Sequence, residues 1–143
     1  AYTDWRGTEV GQSIGTPAYM SPEQASGLSH MADARTDVYS LCAILYTAIT
    51  LCPPIKSTSI HDMLQRVANG KVIPLHECLA SSPFTAKDSP IVPDLTRIVE
   101  KGMSMRPEDR FPSAKALLIA LNNIDTRVRP RHSGSKPLFR LSN

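Results

Sequence analysis

The sequence predicts a mainly α fold, and three observations support this prediction. Twelve prolines divide the 143 residues into proline-free windows in which helices can form. Several of these windows carry apolar residues at the i, i+3, i+4 spacing of one helix face. No stretch of useful length alternates apolar and polar residues with the period of two that half-buried strands show. With 41% hydrophobic and 20% charged residues, the composition is that of a protein able to bury a core.

The longest proline-free window, residues 23–52, predicts the longest helix. Residues 38–55 carry no charged side chain and approach the ~20 residues of a membrane span. Pro53 and Pro54, however, end any helix near Cys52, so we reject a membrane span. A helix that is apolar nearly all round is buried on most sides in a globular protein, and Thr36 or Asp37 would be its N-cap.

Three shorter helices are predicted after the central one. The first follows Ser59 as a cap and stops at Gly70, the second begins at Pro93, and the third follows Ser113. Each shows one apolar stripe at helical spacing. Residues 74–92 contain three prolines, several serines and no clear period, which predicts a long loop.

The charge is divided unevenly along the chain. All 13 acidic residues lie in residues 1–125, whereas residues 126–143 carry five basic residues and no acidic one. We therefore predict a slightly acidic domain followed by a basic, flexible tail. A nucleic-acid-binding domain needs basic charge gathered on its folded surface, so we expect no nucleic-acid partner.

The cysteines and histidines indicate neither a disulfide framework nor a metal site. The three cysteines form no Cys-x-x-Cys pair, and on one helix Cys42 and Cys52 would lie ~15 Å apart, too far for a disulfide. An odd cysteine count without a framework suggests a reducing compartment, and we expect a cytoplasmic location. The four histidines show no metal-ligand spacing, so no metal is expected on this chain.

One string carries a family resemblance: Gly15-Thr16-Pro17-Ala18-Tyr19-Met20-Ser21-Pro22-Glu23. It resembles the end of the activation segment of eukaryotic-like serine/threonine protein kinases, where Gly-Thr-Pro-x-Tyr-Met-x-Pro-Glu closes the substrate-docking loop. The bacterial kinases of this type are the nearest match. Ser21 stands where the family usually has alanine. Ser-Pro-Glu alone would be a weak signal, because cap, proline and acid also mark any helix start.

Three further matches follow in the order that the family shows. Asp37-Val38-Tyr39-Ser40-Leu41 resembles the start of the long central helix of the kinase large lobe, and Pro53-Pro54-Ile55 resembles its exit. Residues 106–111, Arg-Pro-Glu-Asp-Arg-Phe, resemble the loop before the last helix. The resemblance covers residues 8–124.

The resemblance implies a domain organisation. Residues 1–14 would be part of the activation loop, residues 15–125 the remainder of the kinase C-terminal lobe, and residues 126–143 the tail. The fold would be a partial protein-kinase-like large lobe, helical around a long buried central helix, without the small lobe and the catalytic loop. In isolation such a lobe would expose apolar surface and aggregate.

The resemblance also implies roles for residues of the docking loop. Thr16 would have a supporting role in catalysis by hydrogen-bonding the catalytic aspartate and lysine. Tyr19 and Met20 would line the surface for the substrate residue after the phosphorylated one. Without the family, Gly-Thr-Pro is an ordinary turn, and Tyr19 and Met20 are core-facing anchors. The implied substrate-binding residues are Gly15, Thr16, Pro17, Tyr19 and Met20.

Three structural residues and one departure complete the implied site. Glu23 would pair with Arg110 in the interior, although an exposed charge near a turn is the simpler reading of Arg110 alone. Asp37 would brace the catalytic loop, or be only a helix cap. Cys42 departs from the glycine common in the family, which puts the local packing in doubt.

Hydroxyl residues precede the docking loop. Thr3, Thr8 and Ser13 would lie in the activation loop, where a phosphate could order the chain by pairing with arginine. The alternative is that all three are simply solvated. We therefore treat them as candidate phosphorylation sites.

Several parts of a kinase are absent from the sequence. It contains no glycine-rich loop, no His-Arg-Asp catalytic loop and no Asp-Phe-Gly; Asp4-Trp5-Arg6-Gly7 has one residue too many. In the family these motifs precede Ala1, so we expect a C-terminal part of a kinase. The full-length protein would use ATP and Mg²⁺ to phosphorylate serine or threonine of protein substrates, and this chain alone would be inactive.

Two other functional readings remain open at this stage. The chain could be a non-catalytic, kinase-derived interaction module that docks proteins through the substrate loop and the apolar stripe of residues 60–68. It could also be a decayed gene fragment without a function, in which case it would fold poorly.

Overall fold

The computed structural model describes residues 16–81, 89 and 91–124. The predictions for the activation loop and the basic tail fall outside these residues. Within them no strand occurs, which confirms the mainly α prediction. Three short 3-10 turns, Thr16–Tyr19, Ser29–Met31 and Pro107–Asp109, accompany the α-helices. The α-helices are α1 (Pro22–Ala25), α2 (Ala34–Thr50), α3 (Ile60–Ala68), α4 (Leu75–Ser81), α5 (Val92–Gly102) and α6 (Ala114–Asn122).

Helix α2 begins earlier than predicted. Asp33 is its N-cap, and the Asp33 carboxylate accepts a hydrogen bond from the backbone N–H of Arg35 at 2.8 Å. The Thr36 hydroxyl accepts one from the backbone N–H of Asp33 at 3.2 Å and completes a capping box. The predicted caps Thr36 and Asp37 are therefore wrong: both lie inside the first turn, because Asp33 already satisfies the end of the helix.

The main core lies on one side of α2. Helices α4, α5 and α6 pack against this side. The opposite side is exposed: Leu41 is 42%, Ile44 is 55% and Leu51 is 57% accessible. The helix is thus buried on most sides, as predicted, and has one exposed face that no described element covers. The buried residues of α2, which belong to the main core, include Val38, Tyr39, Cys42, Ala43 and Tyr46.

A smaller core joins α3 to the segment before α1. Met63 and Val67 of α3 pack with Ala18 and Ile55, and all four are buried. Ser59 caps α3 as predicted, and Gly70, with φ of 63°, follows its end. The apolar stripe of α3 therefore faces mostly inward, with Ile60 left 38% exposed at its start.

Helix α4 corrects the prediction of one long loop over residues 74–92. Its seven residues bury Leu75, Cys78 and Leu79 against the main core. A helix of two turns shows only one i, i+3, i+4 set, which is too short to establish a period among the neighbouring prolines. Helix α5 also starts one residue early, at Val92, with Pro93 in its first turn.

The packing doubt at Cys42 is resolved by a glycine on the neighbouring helix. Cys42 is fully buried, and its side chain lies against Gly102 at the end of α5. A methyl group added at Gly102 would overlap the Cys42 sulfur and lie 3.0 Å from its Cβ. The two helices approach closely because the residue without a side chain is on α5 instead of α2. Burial raises the pKa of the Cys42 thiol to about 12.

This complementarity predicts a coupled effect of two substitutions. Gly102→Ala should lower the free energy of unfolding by about 1–3 kcal/mol, because the overlap outweighs alanine's better helix propensity. In a Cys42→Gly background the same change should cost much less, since the space is then vacant. Urea unfolding of both single variants and the double variant measures the coupling. An equal cost of Gly102→Ala in both backgrounds would contradict this packing.

Candidate functional site

The residues that resemble a docking loop are held on α2. The Ser40 hydroxyl donates to the carbonyl of Tyr19 at 2.9 Å, and the Tyr19 and Thr47 hydroxyls lie 3.4 Å apart. Ala18 is buried in the smaller core, whereas Pro17 and Met20 are half-buried. The segment is therefore anchored from one side and keeps part of its surface accessible.

The Ser-Pro-Glu sequence forms a capped helix start. The Ser21 hydroxyl accepts from the backbone N–H of Gln24 at 3.4 Å, and the Gln24 side-chain oxygen accepts from the backbone N–H of Ser21 at 3.1 Å. Pro22 is the first residue of α1, where its missing N–H is not needed. This geometry directs Glu23 into the protein interior, where it is 8% exposed.

Glu23 and Arg110 form a two-pronged ion pair. Arg110 donates from Nη1 to Glu23 Oε1 at 2.8 Å and from Nη2 to Oε2 at 2.9 Å. The Thr36 hydroxyl donates a third hydrogen bond to Oε1, also at 2.9 Å. The sequence had predicted this pair across 87 residues, and the two side chains are in contact in the interior.

The remaining donors of Arg110 are all used by backbone carbonyls. Nε donates to Ser104 O at 2.8 Å, Nη1 to Arg35 O at 3.2 Å and Nη2 to Met105 O at 3.1 Å. Together with the two bonds to Glu23, each of the five guanidinium N–H groups has an acceptor. Arg110 is only 3% exposed, so its charge is matched inside the protein and not by water.

The electrostatics of the pair follow from this geometry. Burial alone would raise the pKa of Glu23, but the hydrogen bonds from Arg110, from the Glu23 amide and from Thr36, together with the Arg110 charge, lower it to about 2. Tyr39 lies beside the pair, with its ring centre 5.0 Å from the Arg110 guanidinium carbon. Burial raises the pKa of Tyr39 to about 12, and its hydroxyl has no hydrogen-bond partner within the described residues.

For the other predicted site residues the structure gives fewer contacts, or the residues lie outside its described part. Asp37 lies in the first turn of α2 and is exposed. The backbone of Thr16 begins the first 3-10 turn. Gly15 lies outside the described residues, as do the candidate phosphorylation sites Thr3, Thr8 and Ser13.

Sequence reasoning missed Thr36 and Tyr39 as members of this cluster. The pattern Asp-x-x-Thr at residues 33–36 could have revealed the capping box, because a cap followed three residues later by a polar side chain is its signature. Nothing local could have revealed the bond from Thr36 to Glu23 or the position of the Tyr39 ring, since both depend on how α1, α2 and the loop after α5 pack.

The described residues contain neither a metal-binding cluster nor a membrane-spanning helix. In the part of the chain that the structure describes, no three His, Cys, Asp or Glu side chains are grouped so that they could hold a metal ion. Over the same residues, no helix combines the length and the apolar character needed to cross a membrane.

Comparison with known proteins gives consistent matches to one group of enzymes. The chain is 33% identical over 128 residues to serine/threonine-protein kinase PknB of Mycobacterium tuberculosis, an alignment that includes 87% of this chain. It is 33% identical over 131 residues to PknB of Mycobacterium leprae, and 30% identical over 116 residues to PknD of M. tuberculosis. This chain is related to the bacterial serine/threonine protein kinases.

The kinase relationship covers most of this chain but little of each relative. The aligned region is 18% of either PknB and 16% of PknD. No protein-family profile matches the sequence. The relationship therefore concerns the helical region that contains the Glu23–Arg110 pair. It does not show that this chain has the activities of the whole relatives.

Removing one partner of the buried pair should be strongly destabilising. Arg110→Met should lower the free energy of unfolding by about 3–5 kcal/mol, because it leaves the Glu23 carboxylate buried without its ion-pair partner and removes the guanidinium donor from three backbone carbonyls. Arg66→Met is a matched control, since Arg66 pairs with Asp62 on the exposed face of α3. The control should cost at most about 1 kcal/mol. Similar urea midpoints for the two variants would contradict a stabilising buried pair.

The pair should also make the free energy of unfolding depend on pH. The pKa of Glu23 falls from 4.5 to about 2 on folding, so its contribution is complete above the higher value and is lost as the pH falls toward the lower one. Its size is about 3 kcal/mol. Unfolding of wild type and Glu23→Gln, measured from neutral pH down to pH ~2, should show a stability difference that shrinks below pH ~4.5. A constant difference would show that the Glu23 carboxylate does not titrate in this range.

Proposed function

We propose that this chain supplies the docking loop and the helical body beneath it to a serine/threonine protein kinase. In the full-length protein the kinase transfers the γ-phosphate of ATP to serine or threonine hydroxyls of protein substrates. The observation that carries the proposal is the buried Glu23–Arg110 pair, which joins the end of the loop to the segment before α6 in a chain related to bacterial kinases.

The docking role rests on how the loop is held. Tyr19 is fastened to α2 through its carbonyl and its hydroxyl, while Pro17 and Met20 stay half-buried. A fixed backbone with partly accessible side chains suits recognition of an extended peptide, because little ordering is needed when the peptide binds. In this proposal Gly15 and Thr16 belong to the substrate-binding loop, Thr16 helps to position the reacting hydroxyl by hydrogen-bonding the catalytic aspartate and lysine, and Pro17, Tyr19 and Met20 line the adjoining substrate pocket.

The exposed face of α2 favours the view that another segment packs on it in the full-length protein. Asp37, Leu41 and Ile44 follow one another at intervals of four and three residues, so they lie on one helix face. All three are exposed. An acid followed by uncovered apolar side chains fits a surface that another segment covers, with Asp37 accepting hydrogen bonds from that segment's backbone. We propose that this segment is the catalytic loop.

In this proposal ATP and Mg²⁺ are bound by parts of the kinase domain other than the described residues. The sequence has no glycine-rich loop or Asp-Phe-Gly, and the described part has no group of three or more His, Cys, Asp or Glu side chains that could hold a metal ion. The contribution of this chain in the proposal is to position the substrate and the catalytic loop. The isolated chain should neither bind ATP tightly nor transfer phosphate. We place the kinase domain in the cytoplasm, on the basis of its cysteine pattern.

The alternative of a non-catalytic interaction module receives less support. It used the apolar stripe of α3 as a docking surface, but Met63 and Val67 of this stripe are buried against Ala18 and Ile55. Of the two surfaces that this alternative invoked, the docking loop is the one that stays partly accessible.

A chimera tests the proposal. The N-terminal part of M. tuberculosis PknB, up to the position aligned before Gly15, would be joined to this chain, and Mg²⁺-dependent phosphorylation of a protein substrate would be measured. We expect activity in the chimera and none in the isolated chain. Thr16→Ala should lower the rate about 100-fold through misplacement of the reacting groups, whereas Thr16→Ser should retain most of it.

Controls separate loss of function from loss of fold. Arg66→Met in the chimera should leave the rate unchanged, because the Arg66 side chain pairs with Asp62 at the protein surface. A chimera that unfolds cooperatively on heating but transfers no phosphate would contradict the kinase role. A chimera without a cooperative transition would instead indicate that this chain does not complete a kinase lobe.

A further inference from the structure

The sequence contains a single Asn-Gly pair, Asn69-Gly70, and this pair lies where α3 ends. Asn69 is the C-cap of the helix, with ψ of 7°, and Gly70 follows it with φ of 63°. Both residues are exposed, so water reaches them. In an Asn-Gly pair the glycine nitrogen can attack the side-chain amide of the asparagine, because glycine has no side chain to crowd the attacking atom.

The backbone at Asn69 keeps the two reacting groups apart. The attack closes an imide ring in which the Gly70 nitrogen and the Asn69 Cβ lie on the same side of the Asn69 Cα–C bond. With ψ of 7°, the Asn69 nitrogen occupies that side, and the tetrahedral geometry at Cα turns Cβ away from Gly70. Ring closure therefore requires a large rotation about this bond.

Three hydrogen bonds oppose the rotation. The Asn69 side-chain nitrogen, Nδ2, donates to the carbonyl of Gln65 at 2.7 Å. The backbone N–H of Gly70 donates to the carbonyl of Val67 at 2.9 Å, and the next backbone N–H donates to the carbonyl of Arg66 at 2.8 Å. The nitrogen that would attack and the amide that would be attacked are thus both hydrogen-bonded to the last turn of α3.

Gly70 is also held from outside the helix. A Cβ added at Gly70 would lie 3.0 Å from the Met105 sulfur, so the chain packs closely on the segment that follows α5. The Met105 carbonyl in turn accepts a hydrogen bond from Arg110 Nη2 at 3.1 Å. The end of α3 therefore packs against the same loop that surrounds the buried ion pair.

We propose that Asn69-Gly70 is a spontaneous deamidation site whose rate is set by how often the end of α3 opens. While the last turn is closed, its backbone geometry prevents ring closure. After local opening, the pair reacts as it does in an unfolded chain. The reaction needs only water as co-reactant, so the site does not depend on the proposed kinase function.

The chemistry takes two steps. The Gly70 nitrogen attacks the Asn69 Cγ and forms a C–N bond; the bond from Cγ to Nδ2 breaks, and ammonia leaves with the proton of the Gly70 N–H. Water then adds to one of the two imide carbonyl carbons and opens the ring to aspartate or to isoaspartate. Overall, one amide and one water give one carboxylic acid and one ammonia, and no atom is oxidised or reduced.

Deamidation removes features that keep the end of α3 closed. The hydrogen bond from the Asn69 side chain to Gln65 is lost, and the new carboxylate lies at the carbonyl end of the helix, where a negative charge is unfavourable. Asn69→Asp, which carries the charge of one product, should therefore unfold at a lower urea concentration than the wild type. Equal urea midpoints would contradict this consequence.

The test incubates the full 143-residue chain at neutral pH, folded in buffer and unfolded in urea. Trypsin cuts after Arg66 and Lys71 and releases residues 67–71, whose mass rises by about 1 Da on deamidation because an oxygen atom replaces an NH unit. Conversion should be about 10- to 100-fold slower in the folded protein, since the hydrogen bonds of the helix end must break first. The free peptide, incubated in both solutions, corrects for the effect of urea on the chemical step.

Two controls establish that the Asn-Gly pair is the reacting site. Asn69→Gln keeps a side-chain amide but needs a larger ring, so it should abolish the conversion in both solutions. The tryptic peptide of residues 116–127 holds Asn122 and Asn123, neither of which precedes glycine. In urea this peptide should convert much more slowly than residues 67–71, because a side chain on the following residue crowds the attacking nitrogen.

A matched pair of variants tests whether the opening is local. Val67, in the last turn of α3, and Val99, in α5, are both fully buried. Val67→Ala should speed conversion in the folded protein by about 3- to 10-fold, because it weakens the packing of the turn that must open. It should leave the rate in urea unchanged. Val99→Ala removes the same atoms from the main core and should leave the rate in the folded protein nearly unchanged.

Three outcomes would overturn the proposal. The absence of conversion in urea would show that the pair is not a deamidation site. Equal corrected rates in the folded and unfolded protein would show that the end of α3 gives no protection, and equal acceleration by the two valine variants would show that the opening is not local. A cooperative urea transition, followed by circular dichroism, would establish that the wild type and each variant are folded before incubation.

Discussion

The buried pair of Glu23 and Arg110 is the interaction on which the arrangement of the other elements depends. It joins three parts of the chain: the helix start after the docking loop, the first turn of α2 and the loop before α6. Two opposite charges can be kept out of water only if nearly all of their hydrogen-bonding groups have partners. Here the guanidinium uses all five N–H groups, so the three parts must meet in one geometry.

Helix α2 connects the buried pair to the docking loop and to the main core. Its first turn reaches Glu23 through Thr36, its middle holds Tyr19 through Ser40 and Thr47, and its inner face packs on α4, α5 and α6. The close approach to α5 needs a small residue at the crossing, which is Gly102. The segment around Tyr19 is therefore positioned by the same helix that forms the core, and no described element covers the outer face of that helix.

Predictions from the sequence succeeded where a signal was local and long. The helices α2, α3, α5 and α6 each present several apolar residues with helical spacing, and Ser21, Ser59 and Ser113 mark starts by their side chains. The predictions failed where the signal was short or ambiguous. Helix α4 has only two turns, and the predicted caps of α2 were Thr36 and Asp37, whereas Asp33 is the cap in the structure. Contacts between distant residues, such as Tyr46 with Cys78, left no trace in the order of the residues.

The sequence by itself determined the helical class, most helix positions and, through its kinase-like motifs, the identity of the two residues that would pair. Only the tertiary structure decided that Thr36 joins the pair, that Gly102 makes room for Cys42 and that one face of α2 stays uncovered. The physical reason is the range of the interactions. Periodicity and capping act between residues within a turn or two, so they are legible in the order of the residues. Burial and side-chain pairing depend on which helix faces meet, and those faces are chosen only when the whole chain packs.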